Sequence, residues 1–542
     1  MSETTTRPAA TPAPGGVQTV RRVITYLLLL TMVIIAAIGL SGLLERLLSV
    51  GNTMLNTDNY GLAQSLAFTL VAGPLAALLW WLIWRESAIA RDRASVAWPV
   101  YLMVASTIAL LTFTIALFTW VANIITGDAD LSGLAVPLVW ALVWVWHYWM
   151  WRHPSKGPSR LVGVTPAIAS LIGLTFAIGG LTLALSALIN SALAGVGAIA
   201  VAGSPVWQPI LQSLVWAVGG GAIWWWHWFR VGVRNHTTGF SHVLLVYIAG
   251  FASFALFASG VTRTLATTLT LLAGASEPLT ARFDEYGIAV STAAFGALTL
   301  IYHARVVAAH GPALSSASRL VSAGVSLAVA ATGVGVTVNA LLATISEPLI
   351  DYSIRSLLLG GLSALLVGGA LWWVIWAPRS ASAANRVATP GRRVYLVVIF
   401  GVSALVALIT LLVIGFQLFS FILDNSSGES FLERSRQALG LLVATVLVAA
   451  YHFVVWRRDM ASGVTHEPRR TIERVTLVAA HGDELAQAIR TSTGARVTVL
   501  RRADAGPGEA NADAVVAALD GIEAAHVLVI ATPGIEVIHL AE

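Results

Sequence analysis

The stretch Ala141–Arg152, ALVWVWHYWMWR, decides the reading of this chain, because versions of it recur along most of its length. It returns as AIWWWHWFR (Ala222–Arg230), LIYHAR (Leu300–Arg305) and AYHFVVWRR (Ala450–Arg458). Without the histidine it returns as LLWWLIWR (Leu78–Arg85) and LWWVIWAPR (Leu371–Arg379). Each copy closes an apolar run with aromatic rings and then delivers an arginine. A transmembrane helix leaving the bilayer has this pattern, with amphipathic rings at headgroup depth and a cation just beyond. Six such exits predict six helical hairpins.

Composition points the same way. Hydrophobic residues make up 57% of 542 residues and charged residues 11%, against about 25% charged in an ordinary soluble domain. The 20 tryptophans fall mostly at the ends of apolar runs. The chain has no cysteine, which excludes disulfides, thiolate metal sites and cysteine nucleophiles. The formal charge of +5 is not a nucleic-acid signal, since the arginines lie where a membrane protein needs them. Lys156 is the single lysine among 32 basic residues.

Twelve apolar segments are long enough to cross at about 20 residues each: 22–49, 63–85, 98–125, 132–152, 162–190, 207–230, 241–272, 287–306, 317–345, 354–377, 393–423 and 435–457. The aromatic–His or aromatic–Trp marker falls at Trp81, His147, His227, His303, Trp373 and His452, a spacing of 66 to 80 residues. A second marker supports the repeat: ASEPLTARFDEYG (Ala275–Gly287) answers ISEPLIDYSIRS (Ile345–Ser356). Glu277 and Glu347 each stand 26 residues before their markers, His303 and Trp373. The expected fold is an all-α polytopic membrane bundle of about twelve helices in six tandem hairpins, with a small C-terminal cytoplasmic α/β domain. The expected divisions are an N-terminal tail (1–20), three membrane units (21–160, 161–315, 316–460) and the α/β domain (471–542).

The tail, Pro- and Ala-rich through Gly16, predicts disorder. It lacks the short apolar region and cleavage site of a signal peptide. Links between hairpins collect Arg85, Arg91, Arg93, Arg152, Lys156, Arg160, Arg230 and Arg234, and links within them collect Asp128, Asp130, Glu277, Glu347 and Asp424. The positive-inside rule then puts the inter-hairpin links and both termini in the cytoplasm. Beyond Thr471 the pattern becomes strand (Arg474–Ala480), helix (Asp483–Gly494), strand (Ala495–Asp504), helix from an Asn511 cap, strand (His526–Thr532) and a short fourth strand at Ile535–Leu540. The first turn, AAHGDELA, lacks a phosphate-cradling pattern.

Two sets of side chains are candidates for chemistry. His147, His227, His303 and His452 occupy equivalent positions; facing inward at one depth, they could bind a metal, a haem or an anionic headgroup. Facing outward, they belong to the aromatic belt with wet tips, and Trp81 and Trp373 in the same slot favour that reading. Arg263, Asn190, Asn339 and Gln417 lie toward the other helix ends and are candidates to line a cavity. No acid or lysine sits in mid-span, and no Walker lysine motif, HExxH or GxSxG occurs. The expectation is therefore a non-enzyme with no cofactor, partnered by the lipid bilayer and by other membrane-complex subunits, and not by nucleic acid.

The repeated hairpins and aromatic–His–Arg exits resemble an uncharacterised bacterial multi-pass membrane family, a domain of unknown function with four spans per unit. The resemblance implies three units between Arg22 and Arg458, and no activity or site. It leaves three functions open: a plasma-membrane transporter or channel for a neutral or lipid-like solute, an accessory or scaffold subunit of a membrane complex such as a respiratory one, and, least favoured, a haem- or quinone-binding redox protein.

Overall fold

The computed structural model describes residues 16–50, 59–86, 95–194, 205–273, 279–345, 352–376, 390–423, 430–462, 472–479, 482–501, 511–522, 524–532 and 534–540. The expected disordered tail before residue 16, the Ser-Glu-Pro marker at 276–278 and 346–348, and Arg91, Arg93 and Asp424 lie outside these residues.

Helices occupy all twelve expected segments. They are α1 (Thr19–Leu48), α2 (Asn59–Arg85), α3 (Ala97–Thr126), α4 (Leu131–Arg152), α5 (Val164–Leu193), α6 (Trp207–Trp225), α7 (Gly239–Leu272), α8 (Glu285–Ala309), α9 (Pro312–Ala343), α10 (Ser353–Trp376), α11 (Gly391–Leu423) and α12 (Phe431–Met460). Among the described residues eleven of them, all but α6, are long and apolar enough to cross a membrane. Helix α6 continues through a π turn, Trp226–Arg230, so its length suffices. Its Gln208, Gln212, Gly219–Gly221 and clustered tryptophans make it less apolar than the others. Large apolar side chains cover the outside: Val218, Phe416 and Leu142 are 71%, 73% and 67% exposed.

The closest packing is within the pairs α5 on α6, α7 on α8 and α9 on α10. Small residues set these seams. A Cβ on Gly180 would run into the backbone of Ala217, one on Gly260 into that of Ala293, and one on Gly333 into that of Leu365. Backbones that approach this closely gain dispersion contacts that longer side chains would forbid. Two further π turns, Phe68–Ala72 in α2 and Tyr247–Ala252 in α7, lie at tight crossings. Gly39 of α1 lies against Phe68 and Thr69, and the Ser322 hydroxyl of α9 donates to the Gly250 carbonyl at 3.0 Å. A π turn breaks the i→i−4 ladder locally, and at Gly250 the neighbouring helix supplies a hydrogen bond.

By backbone contacts the chain divides into two units, residues 1–378 with 403–448, and residues 379–402 with 449–542. The second contains the C-terminal sheet, β1 (Ile472–Ala479), β2 (Arg496–Arg501), β3 (Ala524–Thr532) and β4 (Gly534–Leu540), with α13 (Gly482–Thr493) and α14 (Ala512–Ala518). Strand order is β2-β1-β3-β4, the first three parallel and β4 antiparallel to β3. Val475, Leu477, Ala479, Val527, Val529 and Ala531 all point to one face, where Leu485, Ile489, Val515 and Leu519 of the two helices cover them. This period-two pattern, with its helix stops at Gly494 and Gly521, agrees with the α/β expectation.

Candidate functional site

The four histidines are buried and not belt-like. His147, His303 and His452 are at most 1% exposed and His227 is 5% exposed, whereas Trp81 and Trp373 in the same sequence slot are 51% and 69% exposed. One marker therefore serves two environments, and the outward, wet-tipped reading fails for the histidines. Their chemistry shows how an imidazole is kept in an apolar interior. Nδ1 of His147, His227 and His303 lies 2.8, 2.9 and 2.9 Å from the carbonyl four residues earlier (Val143, Ile223, Thr299). A carbonyl only accepts, so Nδ1 carries the proton, and Nε2 of the neutral ring is left as an acceptor facing other helices.

What Nε2 meets differs. Tyr101 of α3 donates its hydroxyl to His147 at 3.0 Å. His227 lines a small pocket with Ser106, Thr165 and Trp151. The ring of His303 lies edge-on to Trp228, with no hydrogen-bond partner for Nε2 among the described residues. The ring of His452 stands 5.8 Å from that of Tyr395. His147, His227 and His303 thus contact different side chains. Among the described residues no group of three or more His, Asp or Glu is placed to hold a metal ion.

The other polar candidates are also scattered. Arg263 is exposed on α7. Asn190 packs against Gly287 of α8, and Asn339 of α9 is 8% exposed beside Gly440 of α12. The Oδ1 of Asn339 and the Oε1 of Gln417 are buried without a hydrogen-bond partner among the described residues.

Among the described residues three cavities stand out, and none of those four residues lines any of the three. The first, of about 500 Å³, lies between α1, α2 and α4 at mid-height, walled by Val33, Ala37, Ala76, Trp80, Val139 and Trp146. Leu40, Ala77 and Leu142 at its rim are exposed, so it opens sideways. Thr69, in the π turn of α2, is its one hydroxyl, and that Oγ1 is buried without a partner among the described residues. The second is the small polar pocket at His227. The third, of about 310 Å³, lies between α5 and α6 with Thr175, Gln212 and Ser213 in its wall.

Below the first cavity, at the arginine-rich helix ends, an aromatic cluster closes the first four helices. Trp80 packs edge-on against Trp146 at 5.5 Å and stacks on Trp84, which also touches Trp98 and Trp149. Lys156 completes it. Its Nζ donates to the Trp84 carbonyl at 2.8 Å and stands 4.6 Å above the Trp84 ring, while its own carbonyl accepts from Trp98 Nε1 at 3.1 Å. Sequence reading missed this clasp, although one lysine among 31 arginines was the available signal.

The arrangement defines a class: a many-helix chain with an apolar exterior, tight small-residue seams, and buried polar groups used singly. Within that class, residues 22–146 and 316–451 each match the family model of a domain of unknown function (DUF5671), so the chain resembles this uncharacterised family over two separate four-helix stretches. No curated protein and no solved structure matches the chain. The bounds of the two matches stand in the same relation to a tyrosine and a histidine. Tyr101 and Tyr395 each stand 79 residues after the first matched residue, and His147 and His452 each follow immediately after the last. The rings of the first pair lie 5.6 Å apart at 52° and those of the second 5.8 Å apart at 60°. A tyrosine ring against a buried histidine recurs at both places.

Proposed function

We propose that the chain is a multi-pass integral membrane protein of the bacterial plasma membrane, with twelve spans, six tandem hairpins and both termini cytoplasmic. Its proposed role is to carry or pass a neutral or lipid-like solute. One observation supports this reading above the others: the sideways-opening cavity between α1, α2 and α4, whose wall is apolar except for Thr69. Its volume of about 500 Å³ falls in the range of small-molecule sites. A wall without charge suits a hydrocarbon chain or a weakly polar molecule, and gives an ion nothing to replace its hydration. The deciding experiment is native mass spectrometry of protein drawn gently from its own membranes, followed by flux assays in liposomes. Protein carrying lipid or a small apolar molecule, with flux that depends on the protein, supports transport. Protein that moves nothing, but that co-purifies in fixed ratio with another polypeptide, overturns it.

A second reading, the accessory or scaffold subunit, draws support from the seams. At Gly173, Gly180, Gly220 and Gly368 helix backbones touch, the close packing expected of a scaffold. Orientation is tested by reporters fused to the inter-hairpin links and the C-terminus. A tail outside the cell would reverse the proposed topology.

A further inference from the structure

On the opposite side of α4 from the apolar cavity is a pocket of different chemistry. Ser106 and Thr107 of α3, Tyr148 and Trp151 of α4, Thr165 of α5 and His227 of α6 line it. About 20 Å³ of it is open to the centre of a water molecule, and about 10–15 Å³ by that measure is enough for one. Ser106 and His227 are 4% and 5% exposed. The Oγ of Ser106 and the Nε1 of Trp151 are both buried without a partner among the described residues. The Nδ1–H of His227 is committed to the Ile223 carbonyl, so its Nε2 can only accept.

These valences are complementary to one small molecule. Trp151 offers a donor, His227 an acceptor, and Ser106 either, and no two of them are bonded directly to each other. We infer that this pocket is a binding site for a single ordered water, which accepts from Trp151 Nε1, donates to His227 Nε2 and completes its bonding with the Ser106 hydroxyl. Three bonds is the usual number for a buried water. The water joins three helices drawn from two adjacent stretches of chain, α3 and α4 with α6. A bridging water is a good substitute for a direct bond to an imidazole that no side chain meets. It distinguishes His227 from His147, whose Nε2 is met directly by Tyr101.

The test is a structure of the full chain in lipid nanodiscs at a resolution that shows ordered waters. An isolated peak about 3 Å from His227 Nε2 and from Ser106 Oγ or Trp151 Nε1 is expected. A dry pocket, a direct side-chain bond to Nε2, or density continuous with a lipid would overturn the inference. Thermal unfolding in lipid gives an independent readout. His227→Leu should lower the midpoint by several degrees, and His227→Gln, which keeps an acceptor, should lower it less. Ser106→Ala should cost stability in the wild-type chain and little in the His227→Leu background. Full additivity of the two changes would show that they share no water and would overturn the site.

Discussion

The Tyr101 hydroxyl reaches Nε2 of His147 from the neighbouring helix at 3.0 Å, and both residues are almost completely buried. The pair joins α3 to α4 one side chain from the apolar cavity, since Val143, whose carbonyl holds the other imidazole nitrogen, is part of the cavity wall.

Removing the donor alone strands an acceptor. Tyr101→Phe should destabilise the chain by about 1–3 kcal/mol, the cost of an unmet buried polar group. The double variant Tyr101→Phe, His147→Leu should lose less than the sum of the single changes. A double-mutant cycle on thermal unfolding in lipid checks this, and additive losses would mean that the bond contributes nothing.

Glycines that look alike in sequence should respond differently. A Cβ on Gly220 would meet the backbone of Ala177 and the carbonyl of Gly173, whereas one on Gly221 meets nothing within 4 Å. Gly220→Ala should cost about 1–3 kcal/mol through overpacking. Gly221→Ala should be neutral or stabilise by up to about 1 kcal/mol, as expected for a helix interior. Yield and melting temperature of the two variants, measured side by side, settle the point.

Lys156 should behave as a clasp and not as a surface cation. Lys156→Met keeps the aliphatic stem but removes both the bond to the Trp84 carbonyl and the charge above its ring, for a loss of about 1–3 kcal/mol. Its amine should also react slowly with an acylating reagent in the folded chain and quickly after unfolding. Equal rates in the two states would remove the clasp.

Filling the apolar cavity from its rim should act on occupancy without disturbing the core. Ala77 is exposed at the opening, and Ala77→Trp should cut co-purifying lipid or apolar solute several-fold while leaving the melting temperature within a degree or two of wild type. Unchanged occupancy would place the bound molecule elsewhere.

The position of each helix could be read from sequence because long apolar runs declare themselves without reference to their neighbours. Which face of a helix turns inward could not. His303 and Trp373 share both a marker and a spacing to Ser-Glu-Pro, yet one is buried and the other faces out. Hydropathy has little power here, because an apolar residue suits a lipid-facing and a helix-facing position equally. Gly219, Gly220 and Gly221 make the same point, meeting the Phe118 ring, a backbone and open space in turn. The π turns at Phe68–Ala72 and Trp226–Arg230 have no sequence signature, so the cavity and the pocket beside them could not be foreseen. The α/β domain was more legible, since alternation along a strand reports directly on its buried face.

The tyrosine–histidine contact has the same geometry at Tyr101–His147 and at Tyr395–His452 although the chain between its members differs in length. Beyond Tyr395 helix α11 runs three residues further than α3 does beyond Tyr101, and α12 begins five residues earlier relative to His452 than α4 does relative to His147. At 1.5 Å per residue the last hairpin is taller than its counterpart by roughly 5 Å on one limb and 8 Å on the other. With the contact as a common footing, all the extra height is at the far end. In a bilayer of uniform thickness such a hairpin must lean, stand proud of its neighbours or thicken the lipid around it.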